Sequence, residues 1–109
     1  MIDVVTTHLA EIAALCRQYG VRRLDLFGSA ATGDFNTETS DLDFVATFAD
    51  THAPNYAERY LDLADALEAL FGHPVDMVIA RSIRNPRFRK AVDATRQPVY
   101  DDQDAPAVA

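Results

Sequence analysis

The sequence predicts an α/β (α+β) domain: a small mixed β-sheet with flanking helices. Three observations carry that expectation. The segments 21–27, 41–48 and 74–80 are short, apolar and alternate with a period of two, as half-buried strands do. Two longer segments, 2–19 and 55–71, repeat apolar residues at spacings of three and four and each runs into a glycine, as amphipathic helices do. The residues able to do chemistry sit at the ends of the strand segments rather than along the helices.

In chain order, Ile2, Val5, Leu9, Ile12, Cys16 and Tyr19 mark one face of a single helix that Gly20 ends. Cys16 lies on that stripe and reads as a small buried hydrophobe; His8 reads as a surface or rim side chain. Residues 21–27 form the first strand, with Leu24 and Leu26 on one face. Arg22 and Arg23 read as solvated charges, with phosphate contact as the other reading. Residues 29–32 form a short helical turn closed by Gly33, and 34–40 a loop rich in Asn, Thr and Ser. In the second strand, 41–48, Leu42, Phe44, Ala46 and Phe48 alternate with Asp41, Asp43, Val45 and Thr47. A linker over 50–54 leads to the long helix marked by Tyr56, Tyr60, Leu63, Leu67 and Leu70 and stopped by Gly72. The third strand, 74–80, puts Val75, Met77 and Ile79 on one face and Asp76 and Val78 on the other. Asn85-Pro86 supplies a helix cap and a proline at the first position. Residues 97–100 add a short edge strand. The domain is expected over residues 1–100, with 101–109 a disordered acidic tail.

Ser29 ends the first strand, whereas Asp41 and Asp43 begin the second. If those ends meet, the two strands are antiparallel. Asp76 lies near the start of the third strand, so bringing it to the same place makes strands two and three parallel. Helix 55–71 is then the right-handed crossover that a parallel pair requires.

The chain of 109 residues carries a net charge of −7, which disfavours a protein-wide nucleic-acid footprint. Six of the ten basic residues, Arg81, Arg84, Arg87, Arg89, Lys90 and Arg96, nevertheless lie in 81–96, a segment of net +5 against −12 elsewhere. They read equally as a solvated helix and as a contact for a triphosphate or an acidic partner. With Cys16 alone no internal disulfide can form, which fits a reducing cytoplasm. No apolar run is long enough to span a membrane.

The stretch around which these elements are arranged is 26–45, LFGSAATGDFNTETSDLDFV. On an extended strand Asp41 and Asp43 point to one side, about 6–7 Å apart. No local cation neutralises them, and a hard divalent ion such as Mg²⁺ would. Gly28-Ser29 offers close backbone approach, N–H groups and a hydroxyl, which a metal-bound phosphate needs. Asp76 is a lone carboxylate in an apolar strand, where a charge is costly unless paired or metal-bound.

Gly28-Ser29, an eleven-residue spacer over 30–40, Asp41-Leu42-Asp43 and the later strand residue Asp76 together resemble the signature of the DNA polymerase beta-like nucleotidyltransferases. The resemblance covers about 21–100. The small size points to the minimal nucleotidyltransferases, many of which are encoded beside a HEPN-domain protein as the antitoxin of a toxin–antitoxin pair. The resemblance implies the nucleotidyltransferase fold and two Mg²⁺ ions held by Asp41, Asp43 and Asp76, with ATP as substrate. It implies that Asp41 and Asp43 bridge both ions, that Asp76 binds the acceptor-side ion and helps take the hydroxyl proton, and that Gly28 and Ser29 hold the β,γ-phosphates. The implied reaction is attack of an acceptor hydroxyl on the α-phosphorus with loss of pyrophosphate. The implied partner is a HEPN-family toxin; with no acceptor-binding domain expected in the chain, the acceptor is either small or presented by a partner. Relatives often carry Arg before the glycine matched to Gly33, and some carry Arg where Ala30 stands. Here the first position is Thr32, which weakens the expected grip on triphosphate. Two alternatives follow: an antitoxin that acts by direct binding with a weak site, and nucleotidyl transfer to a small molecule.

Overall fold

The computed structural model describes residues 2–34, 36, 38 and 40–104. Four strands form one mixed sheet in the order β3-β2-β1-β4. These are β1 (Val21–Phe27), β2 (Leu42–Phe48), β3 (Val75–Ile79) and β4 (Gln97–Asp101). β1 is antiparallel to both β2 and β4, and β2 is parallel to β3, as the converging strand ends require.

The helices are α1 (Asp3–Thr6), α2 (Leu9–Tyr19), α3 (Ser29–Thr32), α4 (Tyr56–Phe71) and α5 (Pro86–Thr95). The first two replace the single helix expected over 2–19. The break lies at Thr7-His8, where side chains compete for backbone carbonyls. The Thr7 hydroxyl donates to the Asp3 oxygen at 2.9 Å and His8 Nδ1 donates to the Val4 oxygen at 2.7 Å. The apolar spacing survives the break, because Val5, Ile12 and Cys16 are all buried. Burial pushes the Cys16 thiol up to about 12, so it behaves as a small hydrophobe. Gly20 and Gly72 end α2 and α4 in the left-handed conformation. α5 starts where expected, the Asn85 side chain accepting from the N–H groups of Arg87 and Phe88.

One face of the sheet presents Leu24, Leu26, Leu42, Phe44, Ala46, Phe48 and Met77 to Ile12 and Cys16 of α2 and to Leu63 and Leu67 of α4. Each fully buried aliphatic side chain there contributes roughly 1.5–3 kcal/mol. The opposite face is smaller: Phe27 and Val45 pack on Val92 of α5, with Val78, Ala80 and Ile83 beside them. β4 runs through Asp101 and a 3-10 turn over Asp102–Asp104 follows. The rest of the expected disordered tail lies outside the described residues.

Candidate active site

The site is built where β1 ends and β2 and β3 begin. Phe27 faces Asp43 across the β1–β2 pair, and Asp43 faces Asp76 across the β2–β3 pair. The last residue of β1 and the two aspartates therefore lie in one row across three adjacent strands, each step about 5 Å. Strand alternation turns Leu42 and Phe44 into the core, where both are buried, and leaves Asp43 half-buried on the other face. Asp41 stands just before β2, and both it and Asp76 are exposed.

Gly28 connects this row to α3. Its φ of 72° and ψ of −149° belong to a region that L side chains avoid. A Cβ on Gly28 would also lie 2.8 Å from Asp43 Oδ2. Only glycine lets the backbone corner close over the Asp43 carboxylate. Ser29 then opens α3, where the Ala31 and Thr32 N–H groups donate to Gly28 O at 3.1 and 3.2 Å, and Gly33 closes it at φ 92°. The expectation that the corner offers free N–H groups needs one correction: the Gly28 N–H donates to Thr95 Oγ1 at 2.9 Å. Thr32 turns its hydroxyl to Ser29 O and Asp34 Oδ2, at 3.3 and 3.2 Å. In the loop that follows, expected over 34–40, Phe35, Thr37 and Thr39 lie outside the described residues. Its end is fastened by His73, whose Nε2 donates to Ser40 O at 2.6 Å.

The electrostatics are those of crowded like charges. Burial, then Asp76, then Asp41 push the Asp43 carboxyl from 3.8 up to about 6. None of the three aspartates has an ion pair among the described residues. Among the described residues, no group of three or more His, Cys, Asp or Glu side chains is set closely enough to hold an ion by itself. The aspartates thus form an open row of hard oxygen donors rather than a closed cage. Such a row suits a divalent ion that takes its remaining oxygens from a bound phosphate or water. The glycine corner, tight against the same carboxylate, suits the phosphate.

Asp25 is the structural residue that the strand pattern alone leaves unread. It is fully buried, receives Arg23 Nε at 3.0 Å and Arg96 Nε at 2.6 Å, and joins β1 to the residue after α5. Arg96 also holds Asp93 at 2.9 Å. Burial disfavours the Arg96 charge, but its hydrogen bonds to Asp93 and Asp25 outweigh that and raise its pKa. Arg23, its side chain 43% exposed, is thus a partly solvated charge that also pairs with the buried Asp25. The signal was present: the reasoning that singles out Asp76, a lone carboxylate in an apolar strand, applies equally to Asp25. Thr95 carried no comparable signal, because its role depends on Gly28, 67 residues away in the chain. The cluster 81–96 is divided as well. Arg89 caps backbone oxygens of Ala80 and Ile83, and Arg81 reaches Thr51 and lies over the Tyr56 ring. Arg84, Arg87 and Lys90 are exposed, with no ion pair among the described residues.

Known proteins agree with this geometry. A provisionally named protein adenylyltransferase of Methanocaldococcus jannaschii, MJ1379, is 38% identical over 76 residues, covering 70% of this chain and 74% of its own. A solved structure described provisionally as a minimal nucleotidyltransferase superposes with a TM-score of 0.71 at 32% identity, covering 89% of this chain and 96% of that one. A toxin–antitoxin crystal structure with AMP-PNP contains a chain matched with a TM-score of 0.67 at 25% identity, covering 87% of this chain and 74% of that one. The family model described as the nucleotidyltransferase domain matches residues 11–97, a span holding the glycine corner and all three aspartates. The chain therefore belongs to the nucleotidyltransferase domain family.

Proposed function

We propose that this chain is a Mg²⁺-dependent adenylyltransferase that transfers AMP from ATP to a hydroxyl of a partner protein, acting in the cytoplasm as the antitoxin of a HEPN/MNT pair. The observation that carries the reading is the row formed by the glycine corner, Asp43 and Asp76. The protein-adenylyltransferase name of the Methanocaldococcus relative and the AMP-PNP of the toxin–antitoxin neighbour support ATP and a protein acceptor. Asp41, Asp43 and Asp76 would hold two Mg²⁺ ions, which supply neutralisation of the triphosphate and of the carboxylates' own repulsion. Gly28 and Ser29 set the β,γ-phosphates against the first turn of α3. The acceptor oxygen bonds to the α-phosphorus, the bond from that phosphorus to the β-phosphate bridge breaks, and pyrophosphate leaves. Asp76, on the outer strand of the sheet, takes the hydroxyl proton.

The test uses the HEPN-family partner, labelled ATP and Mg²⁺. Intact mass of the partner should rise by an adenylyl group, on tyrosine in peptide mapping, and Asp43→Asn should abolish the gain. An unchanged gain in Asp43→Asn would refute the assignment. A second reading, neutralisation of the toxin by contact alone, is favoured by the Gly28 N–H being already bound to Thr95 and by Thr32 in the turn. It predicts that toxin inhibition survives in Asp43→Asn with no mass gain anywhere.

A further inference from the structure

We propose that the acceptor polypeptide docks in the groove across the outer edge of β3, between α4 and α5, and that Arg84 there recognises an acidic side chain of the docked segment. This rests on the protein-adenylylation reading.

β3 is an outer strand of the sheet, so among the described residues one of its edges is unpaired. α4 covers one sheet face and α5 the other, and their side chains wall that edge. One half of the groove, about 560 Å³, is lined by Tyr60, Ile83, Arg84 and Phe88 among others. The other half, about 390 Å³, includes Leu61 and Arg81. The halves share Tyr60, Ile79 and Ser82 and so form one continuous trough. Tyr60 is fixed on its floor by donating its hydroxyl to Met77 O at 2.6 Å. Leu61 and Phe88 are 60% and 40% exposed, two of the four large hydrophobics that the described residues leave open. Exposed apolar surface of that kind, gathered in a trough, marks an interaction site.

Its position and charge identify the occupant. Asp76 directly precedes Met77, which lines the trough, so the trough begins beside the carboxylate row on the side away from the glycine corner. A segment lying in it starts beside Asp76, on the outer strand farther from Gly28 than Asp43 is. Among the described residues, no acidic one lines either half. The two cations that do, Arg81 and Arg84, differ in availability. Arg81 is engaged with Thr51 and the Tyr56 ring, whereas Arg84 is exposed with no ion pair among the described residues. In a chain of net charge −7, an acidic partner is repelled from most of the surface and attracted here. The apolar lining suits an aromatic hydroxyl-bearing side chain in the same segment.

The probe is a fluorescein-labelled peptide of Glu and Asp around a central Tyr, compared with one in which Lys replaces every acid, measured by fluorescence anisotropy without ATP. The acidic peptide should bind about tenfold more tightly than the Lys peptide. Arg84→Glu should invert that preference, and the difference should fade at high salt. Phe88→Ala should weaken both peptides, while Arg17→Glu, the same charge change on α2, should alter neither. The shift in melting temperature caused by Mg-ATP should be the same in all four proteins. Equal binding of the two peptides by wild type, or an unaltered preference in Arg84→Glu, overturns the proposal. Loss of the Mg-ATP response in Arg84→Glu also overturns it, because the groove would then belong to the nucleotide. Binding needs no transfer, so absent peptide binding and absent adenylylation are separate failures.

Discussion

Neutralising one carboxylate of the row should stabilise the metal-free protein. Asp43 is held at about 6 by burial and by Asp76 and Asp41, against 3.8 in an ordinary carboxyl. Taken whole, that difference is worth about 3 kcal/mol. Asp43 is half-exposed, and screening by solvent leaves on the order of 1 kcal/mol. The raised value means that the folded state binds the proton more tightly than the unfolded chain. The favourable contribution is complete below 3.8 and is lost as pH rises to about 6, so the ionised carboxylate is a net cost at neutrality. Asp43→Asn removes that cost at nearly constant shape. Without metal at pH 7.5 it should melt about 4 °C higher than wild type, and the advantage should vanish near pH 4. Mg²⁺ should act in the opposite order. At ten times its Kd it adds about 1.4 kcal/mol to wild type, a rise of about 5 °C, and markedly less to Asp43→Asn. Melting both proteins by circular dichroism at pH 4 and 7.5, in EDTA and in excess Mg²⁺ with and without ATP, measures all of these. A wild-type melt indifferent to Mg²⁺ under every condition, with Asp43→Asn destabilised in EDTA, would refute the reasoning, since that is how an ordinary surface aspartate behaves.

Gly28→Ala should cost about 1–2 kcal/mol from its positive φ and should weaken Mg-ATP binding severely, because the added Cβ meets Asp43 Oδ2; denaturant melts and nucleotide titration check both. Thr95→Val should orphan the Gly28 N–H, costing about 1–2 kcal/mol and lowering kcat more than KM, whereas Thr95→Ser should restore both; steady-state kinetics tests the split. Asp25→Asn should lower stability by about 3 kcal/mol by stranding Arg23 and Arg96, while the Mg²⁺-dependent gain in melting temperature persists in what remains folded; a retained wild-type melt would show the buried pairs to be dispensable.

Much of the fold was legible because its signals are local. The period-two segments became β1, β2 and β3, Asn85-Pro86 opened α5, and the edge strand appeared at 97. The strand directions followed from supposing that the ends carrying Ser29, Asp43 and Asp76 meet, and the antiparallel β1–β2 and parallel β2–β3 pairings do set Asp43 beside Phe27 and Asp76. The break at Thr7-His8 was hidden because apolar spacing does not register a side chain competing for a carbonyl. Thr95 was hidden for another reason. Its partner, Gly28, lies 67 residues away, and no local pattern announces a bond of that span.

The way the cations of 81–96 are used ties the frame to the chemistry. Arg96 neutralises Asp25, buried on the strand that leads to the glycine corner, and Arg89 binds the carbonyls of the turn that leads to α5. α5 in turn presents Thr95 to Gly28. These contacts are part-buried and directional, so added salt screens them little. Arg84, Arg87 and Lys90 face solvent, where screening is strong. One short basic segment thus serves two ends with different ionic-strength dependence. The part that supports the glycine corner resists salt, and the exposed part responds to it. In this chain of net charge −7 the three carboxylates have no neutralising side chain among the described residues. Its cations support the backbone around the row and leave the row's own charge to whatever binds there.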